Sequence, residues 1–143
     1  MIDPQAVPLS LYIHLPWCAR KCPYCDFNSH EGFTDSLQKP YVEALLADLD
    51  SQQAWWHDRS IHSIFIGGGT PSLFEGRWLG ALLEGISIRA NLSRDVEITL
   101  ESNPGSAERE RFTEYRAAGV NRLSIGVQSF DDRALKALGR IHS

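Results

Sequence analysis

The sequence predicts an α/β fold: a parallel sheet with outer helices, about four β/α units of a partial barrel whose inner face is open to a ligand. Three observations carry that prediction. Short strand-like runs and longer amphipathic runs alternate four times along the 143 residues. The strands alternate apolar and polar residues, whereas a parallel strand packed on both faces is apolar almost throughout. The residues with chemical potential follow the strands, at the end where barrels gather their function. An ordinary two-layer sheet with one solvated face satisfies the alternation as well, so the polar face is either solvated surface or the wall of a lumen.

The first strand is Pro8 to Pro16, alternating and closed by proline, and a cysteine-rich loop follows at once. Thr34 to Trp56 reads as one helix, with Tyr41, Ala44, Leu45, Asp48 and Leu49 at helical spacing and the pair Trp55-Trp56 as packing residues. Ile61 to Ile66 is β-branched and short, a second strand running into Gly67-Gly68-Gly69-Thr70-Pro71-Ser72. Arg77 to Asn91 is a second helix with Leu79, Leu82, Leu83 and Ile86 on its apolar stripe. Val96 to Glu101 is the third strand, Ser102 to Gly105 a turn, and Ala107 to Ala118 a charged helix ending at Gly119. Asn121 to Gln128 is the fourth strand, and Asp131 caps a last helix through Leu138. No strand is read in Gly139 to Ser143.

Parity assigns the faces. Leu9, Leu11, Ile13 and Leu15, then Val96, Ile98 and Leu100, then Leu123, Ile125 and Val127 belong beneath the helices. The opposite parity puts Tyr12, His14, Glu101 and Gln128 toward one shared cavity.

All three cysteines lie within Cys18-Ala19-Arg20-Lys21-Cys22-Pro23-Tyr24-Cys25. Three thiolates at this spacing can hold a [4Fe-4S] cluster by three of its irons, leaving the fourth open to a small ligand. A Cys3His zinc site is the other reading, with His30 or His14 as the fourth ligand. An odd cysteine count without a signal peptide fits a reducing compartment better than a disulfide scaffold. The triple glycine matches neither a dinucleotide nor a triphosphate loop; it either makes the turn or lets a ligand touch bare backbone. Glu101 and Gln128 end their strands, where they either meet water or hydrogen-bond a ligand. Arg140 is a helix-end cation or a clamp for a ligand carboxylate.

The net charge of −4 argues against a polyanion-binding surface, so nucleic acid is not an expected partner. No run approaches the roughly 18 apolar residues of a membrane span, and Met1 to Gln5 has neither the basic start nor the apolar stretch of a leader, which points to the cytoplasm. Nothing divides the chain into two domains.

The motifs together resemble the radical SAM superfamily. The residues that carry the likeness are Tyr12-Ile13-His14-Leu15-Pro16-Trp17-Cys18, the three cysteines with an aromatic before the last, Gly67 to Ser72, Glu101-Ser102-Asn103-Pro104 and Gly126-Val127-Gln128-Ser129-Phe130. Within that superfamily they look like the oxygen-independent coproporphyrinogen III oxidase group, and in particular its heme-chaperone branch. The resemblance implies that Cys18, Cys22 and Cys25 ligate a [4Fe-4S] cluster whose open iron takes the amino and carboxylate groups of S-adenosylmethionine. It further implies that Tyr12, Tyr24, Gly68, Gly69, Thr70, Glu101, Gln128 and Arg140 contact that cofactor. The oxidases carry a fourth cysteine two residues after the third, where this chain has Phe27, as the heme-chaperone branch does. The implied function is therefore binding of heme as cargo for delivery to an acceptor protein, with an electron donor for the cluster, rather than porphyrinogen oxidation. The resemblance also implies that residues 1–143 are the N-terminal part of a longer barrel domain, since about 250 residues make a full one.

Overall fold

Four parallel strands lie side by side in chain order in the computed structural model, which describes Asp3, residues 6–140 and His142, the side chains of 106–108 excepted. Met1, Ile2, Pro4 and Gln5, on which the leader reading rests, lie outside the described residues, as do Ile141 and Ser143. The elements are β1 (Leu9–Leu15), α1 (Gln38–Ser51), α2 (Gln53–Trp56), β2 (Ser60–Gly68), α3 (Gly76–Arg89), β3 (Asn91–Ser102), α4 (Ser106–Ala118), β4 (Arg122–Ile125) and α5 (Asp132–Ala137). Sequence-adjacent strands pair in parallel, and a helix returns the chain each time, which is the local topology of a (β/α) barrel.

Packing follows the parity of the strands. Ile13, Leu15, Ile64, Ile66, Ile98 and Leu100 are buried on one face, under Val42 and Leu49 of α1 and the Leu79, Leu82, Leu83 and Ile86 stripe of α3. Each such side chain contributes about 1.5–3 kcal/mol by leaving water. α3 sits between α1 and α4, and α4 ends at Gly119, whose φ of 114° is the left-handed cap that a glycine takes without strain. Asp131 accepts from the backbone N–H groups of Arg133 and Ala134, capping α5 as its side-chain chemistry predicts.

Several expectations are corrected. The single helix from Thr34 to Trp56 is a 3₁₀ turn (Asp35–Leu37) and two helices, broken at Gln52. There Ser51 Oγ donates to the Asp48 carbonyl and Gln52 Nε2 to the Asp48 carboxylate, local side-chain bonds that compete with continuation of the helix. Of the tryptophan pair only Trp56 packs in the core; Trp55 is exposed.

β2 runs on into Gly67 and Gly68, and β3 begins at Asn91, directly after Ala90 at the end of α3. A register shift between Ile61 and Ser63 absorbs the extra β3 residues. The fourth strand ends at Ile125 rather than Gln128. Its last ladder bond is Gly126 N–H to the Ser102 carbonyl, and Val127 and Ser129 then bond back to Ile125 and Val127, because beyond Ser102 β3 turns away toward Pro104, which has no N–H to offer. Ile125, expected beneath the helices, is therefore exposed on an edge strand, Val127 is only half-buried, and Gln128 sits in a loop with φ of 68°.

Candidate functional site

The loop from Cys18 to His30 is pinned at both ends by backbone bonds around Trp17. His30 N–H donates to the Pro16 carbonyl at 2.6 Å, and Cys18 N–H donates to the His30 carbonyl at 2.9 Å. Inside the loop Lys21 bonds the Glu31 carboxylate through its backbone N–H and the carbonyls of Phe27 and Ser29 through its ammonium. Trp17 itself is wedged edge-on against Tyr41, with ring centroids 4.6 Å apart, and also against Phe33 and Phe74. An aromatic anchor thus fixes the loop's entry to the core before the first cysteine.

The glycine-rich turn closes onto that loop. Gly69 N–H donates to the Leu15 carbonyl and Thr70 N–H to the Trp17 carbonyl, so the ends of β1 and β2 are stitched together. Gly68 takes φ of 118°, which a side chain resists, and a Cβ there would lie 2.7 Å from the Leu15 carbonyl oxygen. A Cβ on Gly69 would meet Trp17 O at 2.5 Å and Cys18 Sγ at 2.9 Å. The glycines are needed for this close approach, and Gly68, Gly69 and Thr70 also line a cavity.

That cavity has a volume of about 340 Å³ and is walled by Cys18, Cys22, Cys25, Tyr24, Gly68, Gly69, Thr70, Glu101, Gln128 and Arg140. Of the residues expected to hold the cluster or contact the cofactor, all but Tyr12 are therefore in one wall. Tyr12 and His14 lie on the same sheet face but outside the lining. Tyr12 donates to His14 Nδ1 (2.8 Å), and His14 Nε2 meets the Asn28 carbonyl at 2.7 Å. Since a carbonyl only accepts, Nε2 carries the proton and Nδ1 receives the phenol, so both ring nitrogens of His14 are engaged. His30 contributes backbone bonds, and neither histidine lines the cavity.

Glu101, next to last in β3, holds its carboxylate over bare backbone. Gly68 N–H donates to its Oε2 at 3.2 Å, and a Cβ on Gly67 would come within 2.9 Å of the same oxygen. Tyr12 feels this charge: burial and then the Glu101 carboxylate hold its phenol above the ordinary value of 10.0. The Tyr24 phenol is raised as well, by burial first and by its hydrogen bond with Cys22, with the Arg140 cation opposing.

Arg140 reaches back across the cavity mouth. Its Nη1 points at Cys22 Sγ at 3.5 Å, and its Nη2 donates to Asn103 Oδ1 at 2.8 Å and to the Gly126 carbonyl at 2.7 Å. Asn103, with Ser102, Ser124, Arg20, Asp26 and Phe27, belongs to the lining, although the sequence assigned it to a turn and to a motif of the likeness without a role of its own in the site. The signal was present: an asparagine two residues past a strand-end carboxylate and just before a proline, at the sheet end that bears the other site residues.

The donor set suits an iron–sulfur cluster with a small polar ligand. All three cysteines are free thiols on one cavity, a guanidinium stands beside one of them where thiolate charge would develop, and Gly69 leaves open the space next to Cys18 Sγ that a methyl group would fill. Among the described residues no three His, Cys, Asp or Glu side chains are gathered at metal-binding distance.

The sequence model of the radical SAM superfamily matches residues 12–143. The chain is 56% identical over 135 residues to the heme chaperone HemW of Escherichia coli strain K12, covering 94% of this chain and 36% of that protein. It is 41% identical over 142 residues to the mitochondrial radical S-adenosyl methionine domain-containing protein 1 of Bos taurus, covering 98% and 31%. Among solved structures it superposes on coproporphyrinogen III oxidase (HemN) from Escherichia coli, described as a radical SAM enzyme, with a TM-score of 0.83 and 28% identity, over 95% of this chain and 31% of that one. The chain thus spans about a third of the length of these relatives.

Proposed function

The chain belongs to the radical SAM superfamily, and from that premise we propose that residues 1–143 are the N-terminal part of the barrel domain of a heme chaperone. In this reading Cys18, Cys22 and Cys25 hold a [4Fe-4S] cluster and the cavity takes S-adenosylmethionine. When bound, the cluster offers one open iron to the ligand and can supply an electron for its reductive cleavage. The intact protein binds heme and passes it to an acceptor protein in the cytoplasm, and a separate donor reduces the cluster.

The chain's own residues divide the work by chemistry. Glu101, an acceptor backed by the Gly68 amide, receives the ligand's ammonium or ribose hydroxyls. Arg140 offers donors to the carboxylate. Gly68 and Gly69 bring backbone amides and carbonyls to the ligand without a side chain between. Tyr24 and Gln128 close the wall, and Tyr12, bonded to His14, stands outside it. Phe27, exposed in the lining, has neither a thiol for hydrogen transfer nor a ligand for iron. It therefore disfavours the second reading, radical oxidative decarboxylation of coproporphyrinogen III, a role suggested by the likeness to HemN.

The observation that carries the proposal is the meeting of three free cysteines, the glycine turn, Glu101 and Arg140 on one cavity, in a chain 56% identical to HemW. The test is anaerobic reconstitution of the full-length protein. The expected results are a brown cluster that bleaches on reduction, loss of iron in each of Cys18→Ala, Cys22→Ala and Cys25→Ala, and retention in His30→Ala. Tight heme binding without product from coproporphyrinogen III, reductant and S-adenosylmethionine supports the chaperone. Product at a true oxidase's rate would establish the enzyme instead, and a His30→Ala chain as poor in metal as Cys22→Ala would restore zinc.

A further inference from the structure

Asn103 is placed so that its two amide ends are used in opposite senses. Nδ2 meets Thr70 Oγ1 at 3.3 Å, and Oδ1 meets Arg140 Nη2 at 2.8 Å. A guanidinium can only donate, so Arg140 dictates which end of the amide faces it, and Nδ2–H must be the donor to Thr70. The Thr70 oxygen is thereby occupied as an acceptor. Its own hydroxyl proton finds no acceptor among the described residues, although Thr70 is buried in the cavity wall. Arg140 carries a matching excess: its Nε is buried without a partner among the described residues, and Nη1 has only the long contact to Cys22 Sγ. Buried donors left without acceptors are costly, and a ligand that brings acceptors recovers that cost.

From this geometry we infer that Asn103 is a positioning residue for the carboxylate of the bound ligand: it holds Arg140 over the cavity and turns the Thr70 hydroxyl into a donor. The inference rests on the reading that the cavity takes S-adenosylmethionine, whose single carboxylate is the acceptor that both donors lack. In this role Asn103 acts through Arg140 and Thr70 rather than on the ligand itself. Its reach is wide, because Arg140 also grips the Gly126 carbonyl and Thr70 N–H is bonded to the Trp17 carbonyl. One amide therefore joins the loops that follow all four strands.

The distinguishing property of such a role is that it acts on the carboxylate and nothing else. In the anaerobically reconstituted full-length protein, Asn103→Leu keeps the volume and removes both bonds. The expected result is a roughly tenfold to hundredfold rise in Kd for S-adenosylmethionine, the scale of one charged and one neutral hydrogen bond, with unchanged iron content and melting temperature. Decarboxylated S-adenosylmethionine, which lacks only the carboxylate, is expected to bind wild type and variant within about twofold of each other, because it never used the positioned donors. Asn103→Asp is the second variant, chosen because it keeps an acceptor for Arg140 while losing the donor to Thr70; it should fall between wild type and Asn103→Leu. Equal losses for both ligands, which a merely structural role produces, or no loss for either, would overturn the inference. Failure of the wild-type protein to bind S-adenosylmethionine would instead remove the proposed function on which it stands.

Discussion

The two faces of the same four strands have opposite fates. On the covered face Ile13, Leu15, Ile64, Ile66, Ile98 and Leu100 are buried against the helices, and their only requirement is shape and apolarity. On the other face polar side chains bond one another, across the sheet or along a strand. Ser63 donates to Ser10, Tyr12 to His14, and Arg122 to Glu97 and Thr99. Only toward the strands' C-terminal ends does that pairing give way to the cavity. The comparison shows that period-two alternation divides labour within a single strand: one parity stabilises the sheet and the other can be spent on recognition without loosening the core.

Leu100 and Glu101 put the contrast in consecutive residues. Leu100→Ala should cost about 2–5 kcal/mol, since the side chain is fully buried and the site cannot collapse around the gap between β2 and β4. Denaturant unfolding of the full-length protein measures this, and a loss below about 1 kcal/mol would mean that the covered face is not the tight core described. A smaller loss, about 1–3 kcal/mol, is expected for Gly69→Ala, where the methyl has to displace Trp17 O and Cys18 Sγ. Unlike Leu100→Ala it should also lower iron content per chain, because the atom displaced is a cysteine sulfur. Glu101→Gln should change unfolding by no more than about 0.5 kcal/mol, as its amide oxygen can still accept from Gly68, yet weaken S-adenosylmethionine binding roughly tenfold through loss of the charge.

The smallest effect is confined to alkaline pH. Tyr41 donates to the His14 carbonyl, and burial, then the charge of Asp48, raises its phenol above 10.0. A raised folded-state value means that the native chain holds this proton more tightly than the unfolded one. Its contribution is complete below pH 10.0 and is lost as pH rises through the folded-state value. Tyr41→Phe should therefore flatten the fall in melting temperature above that pH while leaving the pH 7 to 9 region parallel to wild type. An unchanged alkaline limb would show that Tyr41 is not coupled to the sheet through His14.

What the sequence by itself determined is what depends on local order. Strand parity separated Leu100 from Glu101, the stripe Leu79, Leu82, Leu83 and Ile86 marked the buried side of α3, and Asp131 announced its cap, because each is a property of neighbours a few residues apart. The spacing of three cysteines and the glycine turn likewise carried the site, with residues 12–143 matching the superfamily those motifs suggested.

The rest was decided by partners distant in the chain. β4 stops at Ile125 because its ladder depends on β3, which turns off at Pro104. Tyr12 has the parity of a cavity residue but bonds His14, whose ring is oriented by the Asn28 carbonyl 14 positions further on. Asn103 reads as a turn residue and becomes the junction of Thr70 and Arg140, 33 and 37 positions away. A hydrogen bond is directional and needs its partner within about 3 Å, and only the folded chain brings residues so far apart in sequence to that distance.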